Sequence, residues 1–258
     1  MEKKTSQNII QNQKSYSKWI LNGLGLITLS LIISILLLVF LYNWVNPPLT
    51  WLMVDRYFEG KKTKSVAIKN QWVEIEKISP NMVQAVIAAE DNLFLSHWGF
   101  DFKSINEARS HNRAGKNVRG ASTITMQVAK NVFLWHGRTI TRKLFEAGFT
   151  ILIETFWSKQ RIIEVYLNII ELGPAIYGVE SASKQFFKKP VSELTRNESA
   201  LLATVLPNPL YRNPAKPSSY MLQYQQTILN KIKSIGPVNL LKDKEDDSKK
   251  NQNTKSKK

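Results

Sequence analysis

The sequence predicts an all-α domain carried behind a single N-terminal transmembrane helix, and three observations point there. No charged residue occurs from Trp19 to Val54, and Leu24 to Tyr42 is nearly continuous Leu, Ile, Val and Phe. Such a run is long enough to cross a hydrocarbon layer of about 30 Å as a helix. From Ser79 to about residue 235 apolar residues recur at helical spacing, and no run of strand-type alternation is convincing. With 258 residues and 43% hydrophobic content, the chain can bury one sizeable core plus appendages.

Residues 1–18 are polar, with Lys3, Lys4, Lys14 and Lys18. Lys14 and Lys18 lie just before the apolar run, whereas the first basic residue after it is Arg56. The positive-inside rule places the amino terminus in the cytoplasm and everything after the anchor outside. Trp19, Tyr42 and Trp44 suit the membrane interfaces. A cleaved signal peptide is the competing reading, but the apolar run exceeds the usual core of about 7–15 residues and no A-x-A site follows it. Residues 19–45 are therefore expected to be an uncleaved anchor, ended at Asn46-Pro47-Pro48 because proline cannot continue a helix.

Residues 46–78 read as a short extended connector, with Trp51, Met53 and Tyr57 placed to lie near the membrane surface. The domain proper is expected over 79–236, with helices at 80–95, 101–112, 123–133, 139–157, 159–170, 175–187, 196–206 and 218–235. Ser79 and Pro80 form an N-cap and first-turn pair for the first of these. The tail 237–258 is rich in Lys, Asp, Ser and Asn, with almost nothing to bury, and reads as disordered.

Cysteine is absent, which excludes disulfide scaffolds, thiol catalysis and thiolate metal sites. His97, His111 and His136 are too scattered for ligand spacing, so no protein-held metal is expected. The net charge of +16 calls for an anionic partner. Nucleic acid is set aside because the domain is expected outside a membrane, where the anions are lipid-linked or wall material.

Two stretches carry the candidate chemistry. On the helix after Ser79, the residues Val83, Ile87, Glu90 and Phe94 share one face, so a carboxylate sits in an apolar stripe. Burial there raises its pKa toward the range of a general base or acid; a surface Glu that merely interrupts the stripe is the competing reading. Between Ala108 and Phe145 there is no acidic residue, but Arg109, Arg113, Lys116, Arg119, Lys130, Arg138, Arg142 and Lys143 are present. A patch of one sign is suited to phosphate. Within it, Gly120 and the hydroxyls of Ser122 and Thr123 precede a helix whose start offers N–H groups to an anion; ordinary N-capping is the competing reading. Glu146 is either a surface ion-pair partner of Arg142 and Lys143 or a carboxylate that holds them for a substrate. Glu164 and Glu198 read as structural, the latter as part of a capping box with Thr195. Asp101 is expected to cap the next helix.

These residues resemble glycosyltransferase family 51. Glu90-Asp91 through Phe94, His97, Gly99 and Asp101 is similar to its first motif, and Gly120 to Asn131 to its second. Arg142-Lys143 with Glu146 resembles the third. Lys159 to Asn168 with Gly173, and Leu194 to Ala203 with Leu206-Pro-Asn-Pro209, resemble the fourth and fifth. The likeness spans residues 66 to 230. Phe133-Leu-Trp135 and Arg212-Asn-Pro214 point to the monofunctional biosynthetic peptidoglycan transglycosylases. Asn92-Leu93, where the family often has basic residues, and Met126, where glutamine is usual, depart from the pattern.

The resemblance implies a lysozyme-like helical fold with a lipid-embedded lobe. It implies polymerisation of lipid II into β-1,4-linked glycan strands, with undecaprenyl diphosphate released, at the bacterial plasma membrane. Carried onto this chain, it makes Glu90 the general base and Glu146 an assisting carboxylate. It has Lys130, Arg138, Arg142 and Lys143 hold the donor diphosphate, with Ser122, Thr123 and Gln127 lining the cleft. It implies no tightly bound cofactor, with Mg²⁺ or Mn²⁺ accompanying the substrate diphosphate at most. Its partners would be lipid II, the lipid-linked strand, the membrane and other wall-synthesis proteins.

Overall fold

A computed structural model describes residues 2–61, 68–115, 120–135, 137 and 139–238, with the backbone alone for 2–18 and 59–61. Arg138, His136, Lys116, Arg119 and the tail from residue 239 lie outside the described residues. The chain divides into two units, Met1–Val45 and Asn46–Lys258.

The first unit is the helix α1, Glu2–Leu41. Its segment Trp19–Leu41 has a mean hydropathy of 2.9 and is long and apolar enough to cross a membrane. Two of its hydroxyls are satisfied within the helix: Thr28 donates to Leu24 O at 2.8 Å and Ser34 to Ser30 O at 2.9 Å.

The second unit is helical, as expected, with α2 (Trp51–Lys61), α3 (Pro80–Glu90), α4 (Phe102–Arg113), α5 (Ile124–Phe133), α6 (Ile140–Phe156), α7 (Lys159–Ile169), α8 (Val179–Phe187), α9 (Arg196–Ala203) and α10 (Ser219–Ile235). Two departures from expectation concern the connector and the strands. Residues 51–61 form α2 instead of an extended chain, its first turn held by Thr50, whose hydroxyl accepts the Met53 N–H at 3.3 Å. Met53 is fully buried, so α2 packs into the domain against α5. A small sheet also exists, with β1 (Lys69–Asn70), β2 (Glu171–Gly173) and β3 (Ile176–Tyr177) in the order β1-β3-β2. Strand β1 runs parallel to β3, and β2 antiparallel to it. Strands of two or three residues are too short to show alternation, which is why the helix expected from 175 begins at Val179 instead.

One side of the domain packs α3, α9 and α10 around Ala85, Ala88, Ala200, Ala203, Ile228 and Ile232. Four alanines let the helix axes approach closely, and the two isoleucines of α10 fill the remaining space. On the other side, α5 packs against both α6 and α7, with Val128, Ala129, Ile153, Ile162 and Ile163 fully buried. The buried Asn168 ties the connector to α7: its amide donates to Val73 O and accepts from Val73 N, both at 2.8 Å.

Gly178 supplies the turn from β3 into α8 at φ +77°, where a Cβ would lie 2.8 Å from Asn168 O. Capping follows the sequence closely elsewhere. Asp101 accepts the Ser104 N–H at 2.9 Å, and Thr195 with Glu198 forms a complete capping box. Ser79 precedes α3 but does not cap it, because its hydroxyl donates to Leu194 O at 3.0 Å. Glu164 is structural, accepting from Arg161 at 2.5 Å and from the Ile75 N–H at 3.3 Å.

Candidate active site

Glu90 is the last residue of α3, which stops five residues earlier than the apolar stripe suggests. The cause is Asp91. Its carboxylate accepts the Ile124 N–H at the start of α5 (3.0 Å) and contacts His97 Nε2 (2.8 Å), so the chain must turn out of the helix to bring it there. Phe94 is nevertheless fully buried, reaching the core from the turn instead of from the helix face. Ending the helix at Glu90 places its carboxylate at the junction of α3 and α5.

Two neighbours define the Glu90 side chain. Gln127 of α5 donates through Nε2 to Glu90 Oε2 at 2.8 Å, and Tyr166 of α7 donates its hydroxyl to Gln127 Oε1 at 3.2 Å. Burial pushes the Glu90 pKa above the ordinary carboxylate value, opposed by the Gln127 hydrogen bond and by the charges of Lys231 and Lys130. A raised pKa brings a carboxylate closer to the range in which it exchanges a proton at working pH.

The cationic group lies beside it on α5 and α6. Glu146 is 2% exposed, and its two oxygens are held by Arg142 Nη1 at 2.7 Å and by Lys143 Nζ. Arg142 is itself 9% exposed and donates through Nε to Gly137 O at 2.6 Å. Lys130 makes no ion pair among the described residues. Burial lowers its pKa, against the pull of Glu146 and Glu90, while Arg142 and Lys143 lower it further. Lys130 therefore feels both carboxylates at once. It lines a cavity of about 290 Å³ with Asn131, Leu134, Trp135, Arg142 and Leu52 of α2.

The N-terminus of α5, expected to offer its N–H groups to an anion, is filled by the protein. Asp91 takes the Ile124 N–H and Thr123 takes the Met126 N–H at 3.2 Å. Thr123 is 3% exposed and donates its hydroxyl to Gly99 O at 2.7 Å, so in this structure it serves as the cap of α5. Ser122 stays exposed, 3.5 Å from Lys143 Nζ, and remains on the site's rim. Met126 is a buried core residue, and Asn92-Leu93 is exposed. Arg138 lies outside the described residues.

The structure thus brings together Glu90, Gln127 and Lys130, and beside them Arg142, Lys143 and Glu146. Sequence reasoning missed Tyr166, Tyr224 and Lys231. Tyr224, on α10, has its pKa raised by burial and then by the Glu90 charge. A tyrosine within an apolar helix face reads as core, and nothing local marks Lys231 as facing a carboxylate on α3. Only the position of Tyr166 inside the fourth motif-like run could have singled it out. Among the described residues no group of three or more His, Asp or Glu side chains could hold a metal ion.

Residues 59–233 match the Transglycosylase family model. The chain is 47% identical over 201 residues to a biosynthetic peptidoglycan transglycosylase of Pectobacterium carotovorum, covering 77% of this chain and 82% of that protein. It is 44% identical over 226 residues to the protein of the same name from Shewanella oneidensis, covering 87% and 96%. A third, from Bdellovibrio bacteriovorus, is 47% identical over 216 residues. With a family match over most of its length and relatives this similar, the chain belongs to the Transglycosylase family.

Proposed function

We propose that this chain is an inverting peptidoglycan glycosyltransferase that polymerises lipid II into β-1,4-linked glycan strands. The observation that carries the reading is a desolvated carboxylate, Glu90, beside a cationic group in which Lys130 has no ion-pair partner among the described residues. A sugar linked through an α-phosphate bond has a good leaving group, so the reaction needs a base at the acceptor and positive charge at the departing phosphate. Glu90 takes the proton of the acceptor 4-hydroxyl as its oxygen bonds to the anomeric carbon. The bond from that carbon to the phosphate oxygen breaks, and Lys130, Arg142 and Lys143 stabilise the charge on the released lipid diphosphate. One displacement inverts the α-linked donor to a β-link. A glycosidase would instead need a proton donor for a poor leaving group.

Glu146 is read as the carboxylate that aims the cations, since both of its oxygens are already held by them. Ser122 and Gln127 border the same cleft, and Arg138 is assigned to the diphosphate on its motif position alone. Mg²⁺ or Mn²⁺ would come in on the substrate diphosphate and neutralise charge there. The chain's own contribution at that point is cationic.

The membrane is part of the reading. The apolar segment Trp19–Leu41 fits a single-pass anchor in the bacterial plasma membrane, and Lys14 and Lys18 before it favour a cytoplasmic amino terminus with the domain outside. On α6, Ile140, Leu144 and Ile151 recur on one face and stay exposed, at 82%, 69% and 45%, as expected of a surface that meets lipid. Other wall-synthesis proteins are expected beside it at that membrane. Labelled lipid II supplied to the full chain in detergent tests the function. A polymer that a muramidase digests supports it, whereas soluble fragments released from isolated sacculi, without polymer from lipid II, would make the protein a hydrolase.

A further inference from the structure

Tyr166 is fully buried on α7, and its hydroxyl has one partner among the described residues, Gln127 Oε1 at 3.2 Å. Gln127 in turn spends its Nε2 on Glu90 Oε2 at 2.8 Å. A side-chain amide can sit either way round, with nearly the same shape and opposite hydrogen-bonding character at each end. Flipped, Gln127 would turn its carbonyl oxygen on an acceptor-only carboxylate and leave the Tyr166 proton buried with no acceptor. Both ends of the chain therefore select one orientation, and the Tyr166 end does so whatever the protonation state of Glu90.

We propose that Tyr166 is a positioning residue for the base: it locks the Gln127 amide so that Nε2 holds Glu90 Oε2, and so assigns Oε1 as the oxygen that receives the acceptor's proton. The inference rests on the glycosyltransferase reading only for the source of that proton. Glu90 Oε1 has no hydrogen-bond partner among the described residues, and it is the oxygen left for an incoming hydroxyl. When the proton arrives there, Oε2 keeps its bond from Gln127, so neither side chain has to turn during the step.

Burial raises the Tyr166 pKa well above the usual phenol value, with the Glu90 and Asp91 charges adding to it, so the hydroxyl remains a donor across the working range. The groups facing Glu90 are Asp91 beside it, Gln127 and Lys130 from α5, Tyr166 from α7, and Tyr224 and Lys231 from α10. Of these only Gln127 is neutral and hydrogen-bonded to Glu90, and it favours the ionised form. Losing its donor raises the Glu90 pKa. Activity that needs ionised Glu90 is then lost at a higher pH as the solution is acidified.

The test uses the full chain in detergent, as wild type, Tyr166→Phe, Gln127→Leu and the double variant. Two readouts follow Glu90: the acid limb of kcat/KM for lipid II polymerisation, and the titration of the Glu90 carboxyl carbon by NMR. Tyr166→Phe should move both upward by about half a pH unit, and Gln127→Leu by about one. The double variant should move no further than Gln127→Leu, because Tyr166 acts through Gln127. A Tyr166→Phe protein with both titrations unmoved, whatever its Tm, overturns the proposal, as does a double variant whose shift is the sum of the two. If wild type makes no polymer, the function reading fails, while the NMR titration still decides the role of Tyr166.

Discussion

Replacing Glu146 with glutamine keeps the size of the side chain and removes its charge, which separates two roles that a carboxylate can have in this cleft. Glu146 is 2% exposed, and its oxygens are taken by Arg142 Nη1 at 2.7 Å and by Lys143. Arg142 is 9% exposed, so the substitution leaves a nearly buried guanidinium without its counter-charge. Removing one partner of a buried pair costs about 3–5 kcal/mol. Two features lower the figure here: glutamine keeps one acceptor oxygen, and Lys143, with 48% of its side chain exposed, can turn to water. The expected loss is about 2–3 kcal/mol, which for a domain of this size is a fall in Tm of roughly 4–12 °C. Thermal unfolding of the full chain in detergent, followed by circular dichroism, measures it. Polymerisation should fall in parallel, mainly in kcat, and Arg142→Met in the Glu146→Gln background should restore Tm without restoring activity. A Glu146→Gln protein with wild-type Tm, no activity and an altered pH profile would refute this reasoning and make Glu146 a proton-handling group.

The remaining predictions concern the other charged groups and one glycine. Because burial lowers the folded-state pKa of Lys130, carrying its charge costs stability at neutral pH, a cost that lessens as pH rises. Lys130→Met should therefore raise Tm at pH 7 while cutting kcat by about 10²-fold or more, as measured by denaturation scans and the lipid II assay. Glu90 has a raised folded-state pKa, so its stabilising effect holds below the unfolded pKa and is lost as pH rises through the folded one. Glu90→Gln should accordingly raise Tm at pH 7.5, and the difference should shrink as pH falls. In wild type, the acid limb of activity should lie above the ordinary carboxylate range. Gly178→Ala places a Cβ 2.8 Å from the backbone oxygen of Asn168 at φ +77°, and it should cost about 2 kcal/mol or more, read as a lower yield and lower Tm than wild type.

The helices were legible because their signals are local. The cap at Asp101 and periodic apolar faces placed α4, α5, α6, α7 and α10 to within a residue or two, and the Thr195 capping box placed the start of α9 at Arg196. The end of α3 was not legible, since it depends on Asp91 reaching across to α5, and from sequence alone Phe94 continues the stripe. Helix α2 was hidden because Trp51–Lys61 carries mixed apolar and charged residues after two prolines, and its burial is decided by the α5 surface it meets. In the site, the acid-free run marked the cations, and the apolar stripe marked Glu90. The same reasoning placed an anion at the start of α5, where the structure seats Asp91. Side chains that reach the site from distant elements, Tyr166 and Lys231 among them, had no local signature; their role depends on how α7 and α10 pack.

The central claim is that Glu90 removes the acceptor's proton while the cations of α5 and α6 receive the diphosphate. The most direct measurement compares wild type and Glu90→Gln on labelled lipid II at pH 7.5, with thermal unfolding of each protein as the control for folding. Wild type should give muramidase-sensitive polymer, and the variant, folded and at least as stable, should be slower by about 10²–10⁴-fold. A folded Glu90→Gln protein that polymerises within a few-fold of wild type would contradict the account.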